Sequence, residues 1–200
     1  LDNGKLKAKI QNILVQNIFL MIGQKPLLNG ELNGELNLDS IDIANLNGKG
    51  DIKLENGVLN AANLKELTNK EFPQNTTLNA HIKPTFTNST VHFASIINSN
   101  LATINKFDGS YDINKNSLEA LYSADIPSLA QLEFLTGMKL NGALNPSGKI
   151  SINESINATL NSDFIGSKLK IDIKDNKANL NLSTFEIAKL LEFLDFMPFY

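Results

Sequence analysis

The feature that most constrains this chain is a pattern of alternating segments, short turns and helix starts that recurs about every 60 residues. It is plainest from Gly109 to Phe164. There Ser110-Tyr-Asp-Ile-Asn and Ser117-Leu-Glu-Ala flank the turn Lys115-Asn116. A helix signal follows at Ser128-Leu-Ala-Gln-Leu-Glu-Phe-Leu, and three more alternating segments begin at Lys139, Gly148 and Ser155. The expectation is five short antiparallel strands with one short helix after the second.

The same order recurs on both sides. Asn56-Gly57 is the strongest two-residue hairpin signal, because both turn positions need positive φ. Between Asp51-Ile-Lys-Leu-Glu and Val58-Leu-Asn-Ala it predicts Leu54 opposite Leu59 and Ile52 opposite Ala61. In the central copy the turn predicts Ile113 opposite Leu118 and Tyr111 opposite Ala120. Near the C-terminus, Asp175-Asn176 pairs Ile173 with Ala178, Ile171 with Leu180 and Leu169 with Leu182. In each copy the apolar residues share one face, as a half-buried antiparallel pair requires. Each hairpin leads into a cap-x-x-Glu/Gln spacing, Asn63…Glu66, Ser128…Gln131 and Ser183…Glu186, which satisfies two backbone donors reciprocally.

Residues 1–49 read as the end of a repeat. Ile13, Leu14, Ile18, Leu20 and Met21 suggest a helix ending near Gly23, followed by strands from Leu27 and Gly34 and a closing strand from Ser40 to Leu46. Residues 50–108 form a full repeat, with strands near 76–83, 90–97 and 101–106 after its helix. Residues 109–165 form another. Residues 166–200 begin a third, with a helix from Thr184 to Leu194. The expected fold is mainly β: tandem repeats of five antiparallel strands with one short helix, forming a twisted open groove. The chain opens at Leu1, so it reads as a piece of a longer protein whose leader or anchor lies upstream.

Composition removes several function classes. A net charge of −3 and a pI near 5.4 offer no electrostatic reason to bind nucleic acid. Every strong cation is lysine; arginine, the bidentate reader of phosphates and bases, does not occur. With no cysteine there is no disulfide, thiolate metal site or cysteine nucleophile. The longest apolar run, Asn12 to Gly23, is broken by Gln16 and Asn17 and is too short to span a bilayer.

Candidate chemistry is sparse. His81 and His92 are the only histidines, placed to lie roughly opposite each other in a hairpin turning near Thr87-Asn88. Two histidines fall short of the three protein ligands of a catalytic zinc, and no third is evident. Asp112 and Glu119 should face each other across the central hairpin, where a like-charge pair raises a pKa or is a small local cost on a solvated face. No Gly-x-Ser-x-Gly elbow and no phosphate-binding glycine loop occurs. The Asn-x-Ser/Thr triplets, as at Asn75, Asn88, Asn157 and Asn181, are expected by chance in so asparagine-rich a chain. The expectation is a non-enzyme without metal or cofactor.

What remains is the apolar face. Ile52, Leu54, Leu59, Tyr111, Ile113, Leu118, Leu169, Ile171, Ile173, Leu180 and Leu182 occupy corresponding faces of the three hairpins. In one reading they form a closed core, with helices packed over them through Leu64, Leu67, Leu129, Leu132, Ile187, Leu190 and Leu191. In the other the sheet stays open as a trough and acyl chains occupy that face.

The run Gly50-x-Ile-x-Leu-x-x-Gly57-x-Leu-x-x-x-Asn63-Leu-x-x-Leu67 resembles a motif of the AsmA-like proteins of the Gram-negative envelope. So does the run from Leu129 through Gly142 to Gly148. The five-strand unit is similar to the repeating β-groove of bridge-like lipid transfer proteins, among which AsmA-like members are counted. The resemblance covers nearly the whole chain and rests on spacing, glycine and leucine. It implies a periplasmic β-groove, anchored in the inner membrane by a segment outside this chain, that carries phospholipid acyl chains towards the outer membrane. It brings no catalytic residues, only the groove-facing positions named above. The rival expectations are a structural or assembly scaffold with a closed β core and a surface-exposed adhesin segment. Envelope protein partners and edge-to-edge self-association through exposed strand edges are expected as well.

Overall fold

The computed structural model describes residues 4–164, 166–175, 177–183 and 186–196. Among these, eleven strands form one antiparallel sheet in strict chain order, each hydrogen-bonded only to its sequence neighbours. The strands are β1 (Leu6–Leu14), β2 (Leu28–Ser40), β3 (Asn47–Leu59), β4 (Asn79–Thr87), β5 (Thr90–Asn98) and β6 (Thr103–Asp112), then β7 (Ser117–Asp125), β8 (Ser147–Ile152), β9 (Ile156–Phe164), β10 (Ser167–Lys174) and β11 (Lys177–Leu182). The sheet is open: β1 and β11 are its edges.

Four short helices interrupt the meander: α1 (Val15–Met21) after β1, α2 (Ala61–Thr68) after β3, α3 (Glu133–Thr136) after β7 and α4 (Ile187–Phe193) after β11. A 3-10 turn, Leu129–Leu132, runs into α3. In a sequential antiparallel sheet all odd-numbered strands end on the same side, so the four helices lie along one end of the sheet. The opposite end carries polar turns, among them Asn88-Ser89, Asn114 to Asn116 and Asn153 to Ser155.

Four strands separate α2 from α3 and four more separate α3 from α4, where five were expected. The segments read as strands at 101–106 and 110–114 belong to the single strand β6, with Gly109 inside it. Gly109 is there for close approach: a Cβ would sit 2.1 Å from the Glu119 carbonyl oxygen.

The Asn56-Gly57 hairpin is not formed. β3 runs through it as one strand, because the thirteen-residue β2 pairs along its whole length. The positive φ of Asn56, 52°, is absorbed by a β-bulge instead, where the register slips between Glu31↔Glu55 and Asn29↔Val58. Gly57 has no room for a side chain, since a Cβ would lie 1.7 Å from the Leu78 carbonyl oxygen. Leu54 therefore pairs with Leu32, and Leu59 with Leu28.

The central hairpin forms but closes on residues 113–116. The Asp112 carboxylate accepts the Asn114 and Lys115 backbone N–H groups at 3.0 Å each and ends β6 there. Tyr111 consequently pairs with Leu118, and Gly109 with Ala120. Ile113 lies just past the strand, its N–H donating to the Ser89 carbonyl at 2.8 Å. A two-residue shift preserves which face each side chain occupies. It does separate the expected carboxylate pair: Asp112 faces Ser117 and Glu119 faces Ser110. The third hairpin has the expected register throughout, Ile173↔Ala178, Ile171↔Leu180 and Leu169↔Leu182, while Asn176 of its turn lies outside the described residues.

Helix starts shift similarly. Asn60, three residues before the expected cap, accepts the Asn63 N–H at 3.1 Å and caps α2. Asn63 instead donates its carboxamide to the Pro26 carbonyl at 2.7 Å. Ser128 makes no side-chain cap, and the Ser183 hydroxyl accepts the Lys168 N–H at 2.9 Å rather than capping α4. Thr184 and Phe185, where that helix was expected to begin, lie outside the described residues. Ile13 and Leu14 close β1 rather than opening α1. The segments from Leu27 and Gly34 are one strand, β2, and Ser40 to Leu46 holds a 3-10 turn at Ile43–Asn45 instead of a strand. From Lys139 to Leu144 the chain contributes only the bridge Leu144↔Ile126.

Candidate functional site

The register joins the alternating strands into one apolar face. Near the turn end a row of partners runs Leu6–Leu38–Gly48–Phe86–Val91–Tyr111–Leu118–Ile152–Ile156, from β1 to β9. Further along, Pro84–Phe93–Gly109–Ala120–Ile150–Ala158–Ile173–Ala178 carries the face to β11. On this face the Phe93 and Phe107 rings meet, their centroids 5.4 Å apart. Eleven strands at about 4.8 Å spacing make this face roughly 50 Å across.

Three bulges near the helix end keep the face in phase, each with an asparagine as the extra residue: Asn12 in β1, Asn56 in β3 and Asn105 in β6. A fourth slip, at Asp39 of β2, lies near the turn end. Without the Asn56 bulge the odd separation of Leu54 and Leu59 would put them on opposite faces. With it, both share the apolar one.

No second layer covers this face among the described residues. Among the described residues only α1 runs close to strands along its backbone, against β1 and β2. Along the sheet end the segment after each helix instead meets the next helix in chain order. Lys25, just past α1, pairs with Glu66 of α2 at 2.5 Å. The loop after α2 meets α3 through Phe72 and Phe134, 4.8 Å between centroids, and through Lys70 donating to the Leu135 carbonyl. The loop after α3 meets α4 through Asn141, whose N–H donates to the Phe193 carbonyl at 2.8 Å and whose carboxamide donates to Asp195. Phe193 packs edge-on against Phe164 of β9.

Among the described residues the helices therefore do not form the layer over the sheet that the closed-core expectation required; α4 meets the apolar face only at its end, through Phe193 on Phe164. Leu129 is buried and Leu64, Leu132, Leu190 and Leu191 are half-buried, but Leu67 and Ile187 face solvent. The buried apolar side chains among the described residues are few: Val15, Leu38, Leu54, Ala120, Leu129 and Leu169. Ile156 is 55% exposed and Leu180 64% exposed on the apolar face. Each leaves about 1 kcal/mol of burial unrealised, which an apolar ligand would recover.

Of the residues expected to line this face, Ile52, Leu54, Leu59, Tyr111, Leu118, Leu169, Ile171, Ile173, Leu180 and Leu182 are in register on it. Ile113 is the exception, in the loop beyond β6. The expectation missed the contributions of β4, β5, β8 and β9, such as Ile82, Phe86, Phe93, Ile150 and Leu160. Their alternation, Ala80, Ile82, Pro84 and Phe86 above all, was signal enough to find them.

The other face is polar. Ion pairs cross it, including Lys149 with Glu119 at 2.9 Å and Lys170 with Asp172 at 3.1 Å. His81 lies opposite Ile96 and His92 opposite Thr85, so the histidines do not face each other. The His81 Nε2 atom instead meets Asp51 Oδ1 at 2.7 Å. No group of three metal-ligating side chains occurs among the described residues. On the apolar face, burial pushes the Tyr122 phenol up, and its hydroxyl donates to the Thr159 carbonyl at 3.0 Å. No described helix is long and apolar enough to cross a membrane. This geometry suits non-covalent contact with long apolar molecules. Comparison with protein-family models, curated proteins and solved structures finds no match to this chain.

Proposed function

We propose that this chain is a lipid-binding and lipid-transfer module. Acyl chains lie on the apolar face of the open sheet while head groups stay towards solvent. The observation that carries the reading is that face itself: continuous in register from β1 to β11 and, among the described residues, without a second layer over it. Non-specific contact with hydrocarbon needs no arginine and no catalytic group, in keeping with the composition. Resemblance to the AsmA-like family extends the proposal to a periplasmic groove conducting phospholipid between inner and outer membranes. The groove is part of the proposal, as is repetition: the helices after β3, β7 and β11 suit a four-strand unit better than a five-strand one.

The test is native mass spectrometry with lipid extraction on protein purified from the periplasm of a Gram-negative host. Phospholipid should co-purify with the wild type and be lost in Ile171→Asp and Ile156→Asp. Ile171 sits between Leu160 and Leu180 in the face, whereas Ile156 is exposed enough to carry a charge without unfolding the sheet. Circular dichroism confirms folding of both. Lipid retained in both folded variants overturns the assignment of this face, and a lipid-free wild type favours a protein scaffold.

A further inference from the structure

We infer that Ser95 fixes an ester-linked lipid on the apolar face, its hydroxyl donating to the carbonyl oxygen of an acyl ester. The inference rests on the lipid-binding reading of that face. Ser95 of β5 is 6% exposed, and its side chain has no hydrogen-bond partner among the described residues. Three other hydroxyls of the face are satisfied: Tyr111 donates to Asn116 Oδ1 at 2.6 Å, Tyr122 to the Thr159 carbonyl at 3.0 Å and Ser162 to the Asp163 carbonyl at 2.9 Å. A buried hydroxyl without a partner is costly, so this exception needs a cause. Its Oγ atom is not sealed in, since the one sealed and unpartnered side-chain polar atom among the described residues is Asn157 Oδ1.

The surroundings select the ligand. Ser95 lies between Ile82 of β4 and Phe107 of β6, with Phe93 and Ile97 beside it along β5 on the same face. None of these side chains offers a second hydrogen bond, whereas a buried water makes about three. An ionised carboxylate would stand there without a counter-charge, which disfavours a free fatty acid. An ester carbonyl accepts the one hydrogen bond on offer and brings no donor of its own, and the chain attached to it is apolar. Both histidines lie on the polar face, so neither activates the hydroxyl as a nucleophile, and its role is to donate.

Position along the sheet agrees. β5 stands four strands from β1 and six from β11, which at about 4.8 Å per strand leaves at least about 19 Å of apolar face on either side. The acyl chains of one leaflet span about 15 Å, half of the roughly 30 Å hydrocarbon core. A lipid held at Ser95 therefore keeps its acyl length on the face, over Phe107 and Tyr122 towards β11 or over Ile82 and Ile52 towards β1. Its head group projects into solvent.

The experiment titrates the whole chain with two short-chain phosphatidylcholines, one ester-linked and the other its ether-linked counterpart, which lacks both carbonyls. Calorimetry should show the diester bound about fivefold more tightly, the worth of one neutral hydrogen bond. In Ser95→Ala the two lipids should bind alike, at the wild-type affinity for the diether. Because the hydroxyl is unpartnered in the free chain, Ser95→Ala should have a urea midpoint no lower than wild type. Equal affinity of the wild type for both lipids, a preference that survives in Ser95→Ala, or a lowered urea midpoint overturns the inference while the lipid reading stands. A wild type that binds neither lipid overturns the lipid reading and this inference with it.

Discussion

Asp112 shows how much one side chain decides. Its carboxylate ends β6 by accepting two backbone N–H groups, and thereby sets the hairpin register two residues away from the one the turn residues predicted. The Lys115 N–H chiefly, with the Lys115 ammonium and the Asn114 N–H, holds this carboxyl below the ordinary aspartate value against opposing desolvation. Because the folded-state value is depressed, the stabilisation is present above the unfolded-state value and is lost as pH falls through the folded one. Asp112→Asn keeps an acceptor for the turn but removes the charge. Its urea midpoint should be lower than wild type at neutral pH, and the two should converge in acid. A gap that persists below the carboxylate range would show that the charge is not what stabilises the turn. None of this was legible in the sequence, where Asp112 read only as a strand residue facing Glu119. The aspartate's competing bond to the backbone is a local choice that alternation does not encode.

At the scale of elements, alternation located most strands and put ten of eleven expected residues on the right face. It failed where one residue type has two structural uses. Asn-Gly satisfies positive φ in a hairpin turn or in a bulge, and only the length of the neighbouring strand decides between them. Gly109 likewise read as a break between strands and is instead a point of close approach inside one. The phase-keeping role of the Asn56 bulge can be tested directly. Deleting Asn56 rotates Gly57, Val58 and Leu59 by one position, moving Leu59 to the polar face. It also misplaces the bonds from Leu59 N to the Thr76 carbonyl and from Asn60 N to the Leu27 carbonyl, 2.8 and 2.9 Å. The expected cost is about 2 kcal/mol or more, of the order of losing one buried leucine, read as a lower urea midpoint. A deletion that leaves the midpoint unchanged would mean the neighbouring strands, not the bulge, hold the phase.

The whole molecule is a nearly one-dimensional object. Among the described residues each strand hydrogen-bonds only to its neighbours in the chain, so no ladder closes the sheet on itself. The row of helices and loops links successive ends. This arrangement separates two properties that a closed sandwich couples. The apolar face grows with each added strand, as an extended binding lane requires, while stability accumulates locally from pairs of neighbours, as in solenoid arrays. The edges follow from the same rule: β1 and β11 have one ladder each, and every interior strand has two. Amide exchange should therefore be graded, fastest in β1 and β11 and slowest among β3 to β7, where long ladders flank both sides. Equal protection across all eleven strands would mean that the sheet opens as one cooperative unit. That outcome would point to a layer over the apolar face in solution, and an apolar face covered by protein has no surface left for lipid.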